Sequence, residues 1–332
     1  MEIIVNILLL ALGFVMLVKG ADWFVDSAAG IAGKLGIPEV VIGLTLVAFG
    51  TSAPELSVSL TSALKIHSDG ITIGNVVGSN IINIVLILGI TSLICKIPCH
   101  KNSLKLDIPY MMGVTILFIV LGIMGNSVSK IDGIILVSLL AVYVLILLVI
   151  SIKTKTNLFA EEDESEPEQK ENISPLKAKI NKLKDTWYFM VILLLIGLLA
   201  IIYGSDFVVK SATAIARAAG VSDRIIGLTM IAFGTSLPEL ITSVTAARKG
   251  KTDIAIGNII GSNIFNILCV AGVTACLVPL KFEGFLTDSI YALCAALLLA
   301  VLCYLPGHAI KRAGGILMLA FYIAYMTKLF LS

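Results

Sequence analysis

The sequence predicts an all-α integral membrane protein with ten transmembrane helices, arranged as two inverted five-helix repeats. Three observations predict this fold class: an apolar composition, ten apolar runs of membrane-spanning length and an internal repeat. Of the 332 residues, 58% are hydrophobic and only 14% are charged, and the mean hydropathy is +1.02. Soluble domains carry about 25% charged residues, so the composition excludes a soluble fold. The net charge of +2 implies neither a nucleic-acid partner nor an obligate protein partner, and the predicted surrounding is the lipid bilayer.

The ten apolar runs approach or exceed the roughly 20 residues that a membrane-spanning helix needs. Each run is continuous rather than alternating, and open sheet edges are not viable in lipid, so strands are excluded as spanning elements. The runs cover residues 3–19, 38–64, 71–95, 108–125, 132–152, 187–208, 225–246, 254–279, 286–305 and 313–331.

The second half of the chain repeats the first. Three pairs of segments align, at an offset of 184 residues or, after a single-residue gap, 183: 20–25 with 204–209, 42–56 with 226–240, and 74–83 with 257–266. Because each half carries five spans, an odd number, the second half must enter the membrane from the opposite side. The repeats are therefore predicted to be inverted, which places a substrate site near the midplane where the two copies meet.

This repeat predicts a first half over residues 1–152, a linker over 153–185 and a second half over 186–332. The linker has an acidic stretch followed by four lysines, and such charge blocks are usually solvated. We expect a flexible tether followed by a short basic segment at the membrane surface.

Basic residues predict the orientation, because cytoplasmic loops carry an excess of Lys and Arg. If the amino terminus is outside, the inner side receives the linker lysines together with Lys34, Lys96, Lys101, Lys105, Arg248, Lys249, Lys251, Lys311 and Arg312. The outer side keeps only Lys65, Lys130, Arg217, Arg224, Lys281 and Lys328. The prediction is a multi-pass protein of the cell (cytoplasmic) membrane, with both termini outside and the central loop in the cytoplasm.

Two duplicated segments place polar groups inside apolar runs, where such groups are costly and by default mark functional sites. Pro54 lacks the amide hydrogen that would bond the carbonyl of Gly50, so we expect the helix to break there. Pro238 and Gly234 predict the same break in the second half. Carbonyls freed at membrane depth must be satisfied, and a bound cation would do so.

The side chains near both breaks predict a site built only from oxygen ligands. Residues four apart share a helical face, and four such pairs occur: Thr51 with Glu55, Ser79 with Asn83, Thr235 with Glu239, and Ser262 with Asn266. Oxygen ligands without His or Cys suit hard cations such as calcium or sodium. Two glutamates match the charge of one divalent ion or two monovalent ions, and an irregular cage favours calcium over magnesium.

Plainer interpretations of these residues stay open. The glutamates could be protonated carboxyl groups that bridge helices, and the repeated glycines could serve close helix packing as well as function. Asp22 and Asp206, near helix ends, are predicted to anchor their helices at the membrane interface. Cys269, Cys276, Cys294 and Cys303 lie in apolar runs and are predicted to be buried apolar side chains, and no disulfide framework is expected. The group around Cys99 does not have the spacing of a zinc or haem site.

The duplicated motifs resemble those of the calcium/cation antiporter superfamily, specifically of a prokaryotic sodium/calcium exchanger. The motifs are Gly50-Thr51-Ser52-Ala53-Pro54-Glu55, Gly234-Thr235-Ser236-Leu237-Pro238-Glu239, Gly78-Ser79-Asn80-Ile81-Ile82-Asn83 and Gly261-Ser262-Asn263-Ile264-Phe265-Asn266. With the helix count, the inverted halves and the central loop, the resemblance covers essentially the whole chain. It implies a core of the second, third, seventh and eighth helices, against which the first and sixth helices slide for alternating access.

The resemblance also implies roles for individual residues. Glu55 and Glu239 would be the central calcium ligands. The calcium and sodium sites would be completed by Thr51, Thr235, the backbone carbonyls of Ala48 and Ala232, Ser79 and Ser262. Ser52 and Ser236 would line the outer sodium positions, and Asn83 and Asn266 would close the middle. Some relatives, including potassium-dependent exchangers, carry Asp where this chain has Asn266, so we expect exchange without a potassium requirement.

The predicted function is secondary active antiport, in which sodium is exchanged for calcium across the cytoplasmic membrane by alternating access. Calcium and sodium ions are the transported partners, and neither a cofactor nor an enzymatic activity is expected. A proton/calcium exchanger with Glu55 and Glu239 as proton carriers is the nearest alternative. A passive channel is disfavoured because paired broken helices suit occlusion. An intramembrane hydrolase is disfavoured because no predicted span contains a His, and a nucleotide-driven pump because no phosphate-binding loop motif occurs.

Overall fold

The computed structural model describes residues 2–66, 69–161, 186–220 and 232–331, which are mostly helical. In the first half the helices are α1 (Glu2–Leu35), α2 (Glu39–Ile42), α3 (Ala48–Thr51), α4 (Ala53–Thr61), α5 (Asp69–Ile81), α6 (Leu88–Ile94), α7 (Ile108–Gly125) and α8 (Lys130–Glu161). In the second half they are α9 (Trp187–Ala218), α10 (Ala232–Thr235), α11 (Leu237–Arg248), α12 (Thr252–Phe265), α13 (Gly272–Leu277), α14 (Leu286–Tyr304) and α15 (Arg312–Leu331). Short π-helical stretches cover Gly43–Val47, Ser62–Ile66, Ile82–Ile87, Ser103–Asp107 and Asn266–Ala271.

Within the described residues, eight helical stretches are long and apolar enough to cross a membrane: Ile3–Leu35, Glu39–Leu64, Ile71–Ile94, Ser103–Gly125, Lys130–Ile152, Trp187–Ala218, Thr252–Leu277 and Leu286–Tyr304. The predicted run 313–331 corresponds to α15, and the run 225–246 lies partly outside the described residues. Helix α8 continues to Glu161, past the predicted start of the linker, and the rest of that linker lies outside the described residues.

The two long helices α1 and α9 pack against each other in opposite directions, as inverted repeats require. Gly13 of α1 faces Gly204 of α9, and Gly20 faces Gly197, so the two helices are antiparallel. An added Cβ at Gly13 or Gly20 would lie 2.8 Å from the facing carbonyl oxygen. These glycines therefore allow the two backbones to touch, as small residues do between membrane helices.

Buried apolar side chains form two clusters. The larger cluster joins the helices of the core, among them α5, α7, α12 and α14. The smaller cluster lies between the α1 and α9 pair and the neighbouring helix α11. The paired long helices are thus packed on the core through an interface of their own.

Glycines of the repeat bring the core helices together. An added Cβ on Gly257 would lie 2.6 Å from the carbonyl oxygen of Val40, and one on Gly261 would lie 2.6 Å from that of Leu44. Gly43 packs against the same helix, α12, and an added Cβ on Gly43 would lie 2.9 Å from Ile254 O. The packing interpretation of these glycines holds, and this close packing also brings the two duplicated segments together.

Short strands join loops of opposite halves. Strand β1 (Ile97–Pro98) pairs with β4 (Ala309–Ile310), and β2 (Ser127–Val128) pairs with β3 (Leu280–Lys281), both antiparallel. Beside the first pair, Cys99 and Cys303 are joined by a disulfide. The expectation of no disulfide is therefore wrong for this pair, which the fold brings together across 204 residues of sequence.

Candidate cation site within the membrane

The predicted helix breaks occur at matching positions in the two halves. Helix α3 ends at Thr51 and α4 begins at Ala53, and between them Ser52 leaves the helical conformation, with φ −83° and ψ 4°. Ser236, between α10 and α11, has φ −87° and ψ 4°. The proline that follows each break lies in the first turn of the next helix, where its missing amide hydrogen removes no helical bond.

The breaks are kinks rather than unwound stretches, and this limits which carbonyls are free. Ala48 O accepts the amide of Ser52 at 3.0 Å, and Thr51 Oγ1 lies 3.4 Å from the same carbonyl oxygen. Gly234 O accepts the hydroxyl of Ser205, on α9, at 2.9 Å. Hydroxyl and amide groups of the protein therefore already satisfy some of the carbonyls that we expected a bound cation to satisfy. Ala232, the other predicted carbonyl ligand, begins α10, and its side chain lies outside the described residues.

The two glutamates lie fully buried, and each faces hydroxyl groups of the opposite half. Glu239 Oε1 accepts Ser52 Oγ at 3.2 Å and Ser262 Oγ at 3.5 Å. Thr235, Ser236 and Glu239 lie near Glu55. The exposed fraction of both glutamates is 0%. Two neighbouring carboxyl groups away from water lose hydration and would repel each other when charged, so they need a compensating cation or a bound proton.

Many buried polar atoms around the glutamates lack a hydrogen-bond partner in the described part of the chain. They include Glu55 Oε1 and Oε2, Glu239 Oε2, Ser79 Oγ, Ser236 Oγ, Asn83 Oδ1 and Asn266 Oδ1. A buried polar group without a partner costs about 1–3 kcal/mol, so such a concentration of unpaired oxygens indicates a ligand. The described residues contain no group of three or more His, Cys, Asp or Glu that could hold a metal. Hydroxyl, amide and carboxylate oxygens are the ligands of hard cations.

The stretches that carry the predicted asparagines pack against the helices that carry the glutamates. Asn83 lies in the π-helical stretch Ile82–Ile87, which packs against α11, the helix of Glu239. Asn266 lies in the stretch Asn266–Ala271, which packs against α4, the helix of Glu55. π-Helical turns are frequent at functional sites, and these two turns occupy equivalent positions in the two halves.

Two further asparagines, Asn75 and Asn258, hold the threonines of the site and were missed from the sequence. Thr51 donates its hydroxyl hydrogen to Asn258 Oδ1 at 3.1 Å, and Thr235 donates to Asn75 Oδ1 at 3.4 Å. A hydroxyl has only one hydrogen, so each threonine oxygen keeps its lone pairs for a cation. The signal was available, because Gly-Asn occurs in both copies at 74–75 and 257–258.

Supporting groups extend this network. Asn75 Nδ2 donates to Ser59 Oγ, and Asn258 Nδ2 donates to Ser243 Oγ, each at 3.0 Å. Asn266 Nδ2 donates to Asn80 Oδ1 at 3.0 Å, which leaves its carbonyl oxygen available. The structure thus places Ser52 and Ser262 at Glu239, and it links Thr51 and Thr235 to amides that orient them.

Fold and site together define a multi-pass membrane protein with a candidate cation site where two inverted repeats meet. The chain belongs to the sodium/calcium exchanger family. The model of this family, described as "Sodium/calcium exchanger protein", matches residues 5–149 and 189–331. It is 36% identical to the sodium/calcium exchanger MaX1 of Methanosarcina acetivorans over 99% of both chains. It is 34% identical to the inner membrane protein YrbG of Escherichia coli, over 97% of this chain and 96% of the relative.

A similar structure has been solved. The sodium-calcium exchanger NCX_Mj superposes with a TM-score of 0.80 at 33% sequence identity, covering 98% of this chain and 99% of that chain. The predicted family and the predicted fold of ten helices in two inverted repeats are therefore confirmed. The family consists of transporters, in line with the expectation that the chain is not an enzyme.

Proposed function

We propose that this chain exchanges sodium for calcium across the cytoplasmic membrane by alternating access. The observation that carries the proposal is the pair of fully buried carboxylates, Glu55 and Glu239, each facing hydroxyls of the opposite half. Their two negative charges are balanced by one calcium ion or by two sodium ions. The names of similar proteins, such as the sodium/calcium exchanger MaX1, support sodium and calcium as the two transported ions.

In this proposal Glu55 and Glu239 are shared ligands, and the other predicted residues complete the calcium and sodium positions. These are Thr51, Thr235, Ser79, Ser262, the carbonyls of Ala48 and Ala232, Ser52, Ser236, Asn83 and Asn266. Ala48 O and Ser52 already take part in hydrogen bonds, so we place them at the edge of the site. Thr51 and Thr235, whose hydrogens point to asparagines, fit the central positions better.

Exchange follows from competition for these oxygens. Calcium accepts about six to eight oxygen ligands in irregular geometry, so one cage can hold calcium or sodium in turn. Without cations the two buried carboxylates would repel each other, and the site would resist rearrangement between its two access states. With cations the charge is neutralised, so loaded forms should change access faster than the empty form. More than two sodium ions per calcium would make transport respond to the membrane potential.

The test is calcium uptake into proteoliposomes driven by a sodium gradient. We expect the parent chain to take up calcium, and Glu55→Gln and Glu239→Gln each to abolish uptake, because glutamine keeps the shape and removes the charge. Glu283→Gln, at an exposed position in a loop, is the matched control and should transport normally. Uptake that persists in either glutamate variant would refute the role of the pair.

The same vesicles separate sodium coupling from the proton-coupled alternative. A pH gradient without sodium should drive little calcium uptake if sodium is the counter-ion. Asn266 offers an amide oxygen without a charge, so removal of potassium should leave transport unchanged. Uptake that follows the pH gradient, or that stops without potassium, would contradict these two parts of the proposal.

We further propose that both termini lie outside and that the linker, 153–185, is cytoplasmic. Contacts at one end of the molecule support a common side for several predicted inner residues, since Lys251 forms an ion pair with Glu39 and His100 Nε2 lies 2.8 Å from Asp253 Oδ1. A reporter fused after Ser332 should be active only outside, and cytoplasmic activity would overturn the orientation.

A further inference from the structure

A charged cluster joins the long helix α1 to the core at one end of the molecule. Lys249, just after α11, places its Nζ 2.8 Å from Asp26 Oδ1 and 3.1 Å from Asp22 Oδ1. The same ammonium donates to the backbone carbonyl of Asp22 at 3.1 Å. A lysine has three N–H donors, so these contacts use all of them. One cation thus connects α1 to the helix that carries Glu239.

The equivalent residues of the other half are arranged differently. At the offset of 184, Asp22 corresponds to Asp206 and Asp26 corresponds to Lys210. Lys210 Nζ lies 2.8 Å from Asp206 Oδ2, four residues away on the same helix α9. This ion pair joins no two helices. Lys249 corresponds to Lys65, whose side chain lies outside the described residues.

Burial shows the same difference between the two ends. Ala28 and Ala32 of α1 are both 0% exposed. Their counterparts Ala212 and Ala216 of α9 are the same residue type but only half-buried. Among the described residues, helix α1 packs along α11, whereas α9 and α4, the equivalent pair, make at most marginal contact. In this part of the chain the packing is therefore tighter at the end where α1 finishes than at the end where α9 finishes.

We propose that Asp22, Asp26 and Lys249 form an ionic latch that exists only while the α1 end is closed, and that biases the protein toward this state. The inference rests on the proposed alternating access. In the opposite state the equivalent contact would have one acid fewer, because Lys210 replaces Asp26 and already neutralises Asp206. With the proposed orientation the latched end is cytoplasmic, so the favoured state opens to the outside.

The test compares solvent access at both ends of the molecule. Ala28→Cys or Ala212→Cys is introduced into the full chain, and its reaction with a water-soluble maleimide is quantified at that peptide by mass spectrometry. Lys249→Gln should raise the labelling rate at position 28 and lower it at position 212, each by about 3- to 10-fold, since two partly exposed ion pairs are lost. Asp26→Asn, which removes one pair, should give smaller changes in the same directions.

Lys210→Gln is the matched control, because it removes the same charge and an ion pair of the same length that lies within one helix. It should change neither rate. Unchanged rates in Lys249→Gln would overturn the latch, and so would faster labelling at 28 without slower labelling at 212, which indicates local fraying only. Should Lys249→Gln fail to fold, Asp26→Asn decides, since its side chain is 63% exposed. Labelling requires no calcium flux, so it fails or succeeds separately from the proposed exchange.

Discussion

The two halves of the chain present the same predicted ligands to the candidate cation site, but one group that supports these ligands is not duplicated. Gly234 O is satisfied by Ser205, whereas the equivalent of Ser205 in the first half is Ala21. The hydrogen bonds of the glutamates differ although the serines around them are duplicated. Glu239 accepts the hydroxyls of Ser52 and Ser262, whereas their equivalents Ser236 and Ser79 have hydroxyls without a partner among the described residues. The asparagines behind the threonines, and the serines behind those asparagines, are duplicated as well. What has diverged is the support of one carbonyl, so the duplicated groups are the ones that we expect the ions to need.

The largest effect should come from the close contact between the halves. Gly257→Ala would place a Cβ 2.6 Å from Val40 O and 3.0 Å from Leu44 N, so the helices would have to separate and the site would open. We expect loss of calcium exchange together with a lower unfolding temperature. Gly113→Ala, where an added Cβ meets nothing within 4 Å, is the control and should behave like the parent. A functional, stable Gly257→Ala variant would show that the halves need no backbone contact here.

The next effect concerns the asparagines that orient the threonines. Asn258→Ala removes the acceptor of the Thr51 hydroxyl, and Asn75→Ala removes that of Thr235. Substituting a residue that hydrogen-bonds to a metal ligand lowers metal affinity by about 10- to 100-fold. We expect losses of this size in apparent calcium affinity. Equilibrium calcium binding to the purified variants measures the change, with the exposed Asn102→Ala as control. Parent-like affinity in both variants would mean that the threonines need no orientation.

A smaller effect should follow from removing the support that only the second half has. Ser205→Ala leaves Gly234 O without its donor, and an unpaired buried acceptor costs about 1–3 kcal/mol of stability. Thermal unfolding in detergent should show the loss, while calcium affinity should change less. Ser138→Ala, which removes an exposed hydroxyl bonded within its own helix, is the control. An equal loss in both variants would assign no special role to Ser205.

The smallest effect should appear at Thr242, a buried residue whose hydroxyl lacks a partner among the described residues and whose equivalent is Val58. We expect Thr242→Val to bind calcium within about threefold of the parent and to unfold at a slightly higher temperature, because an unpaired hydroxyl is removed. The converse variant Val58→Thr should lower the unfolding temperature. A loss of calcium affinity beyond tenfold in Thr242→Val would indicate that Thr242 is a ligand. The two halves would then not contribute equivalent ligands to the site, because Val58 cannot bind a cation.

The sequence was sufficient for the fold, for a physical reason. The duplicated segments gave the repeat, and five apolar runs in each half gave its inversion. The family and the solved exchanger structure confirm this fold. Glu55 and Glu239 stand out because a carboxylate in an apolar run is costly, and their role as ligands stays a prediction.

Contacts between distant segments were beyond the sequence. The pairing of Thr51 with Asn258 depends on how the two halves pack. The same holds for the bond between Cys99 and Cys303, and for the contact of Lys249 with α1, where Asp22 was predicted only as an interfacial anchor. None of these pairs has a spacing or composition that would mark it before folding.

The central claim is that one pair of carboxylates serves both ions, and competitive binding tests it most directly. Radioactive calcium bound to the purified parent chain should be displaced by sodium, with a sodium dependence steeper than for a single ion. Glu55→Gln and Glu239→Gln should each lose calcium binding, while Glu283→Gln keeps it. Calcium that stays bound at saturating sodium, or that still binds with parent affinity when either carboxylate is neutralised, would contradict the shared site.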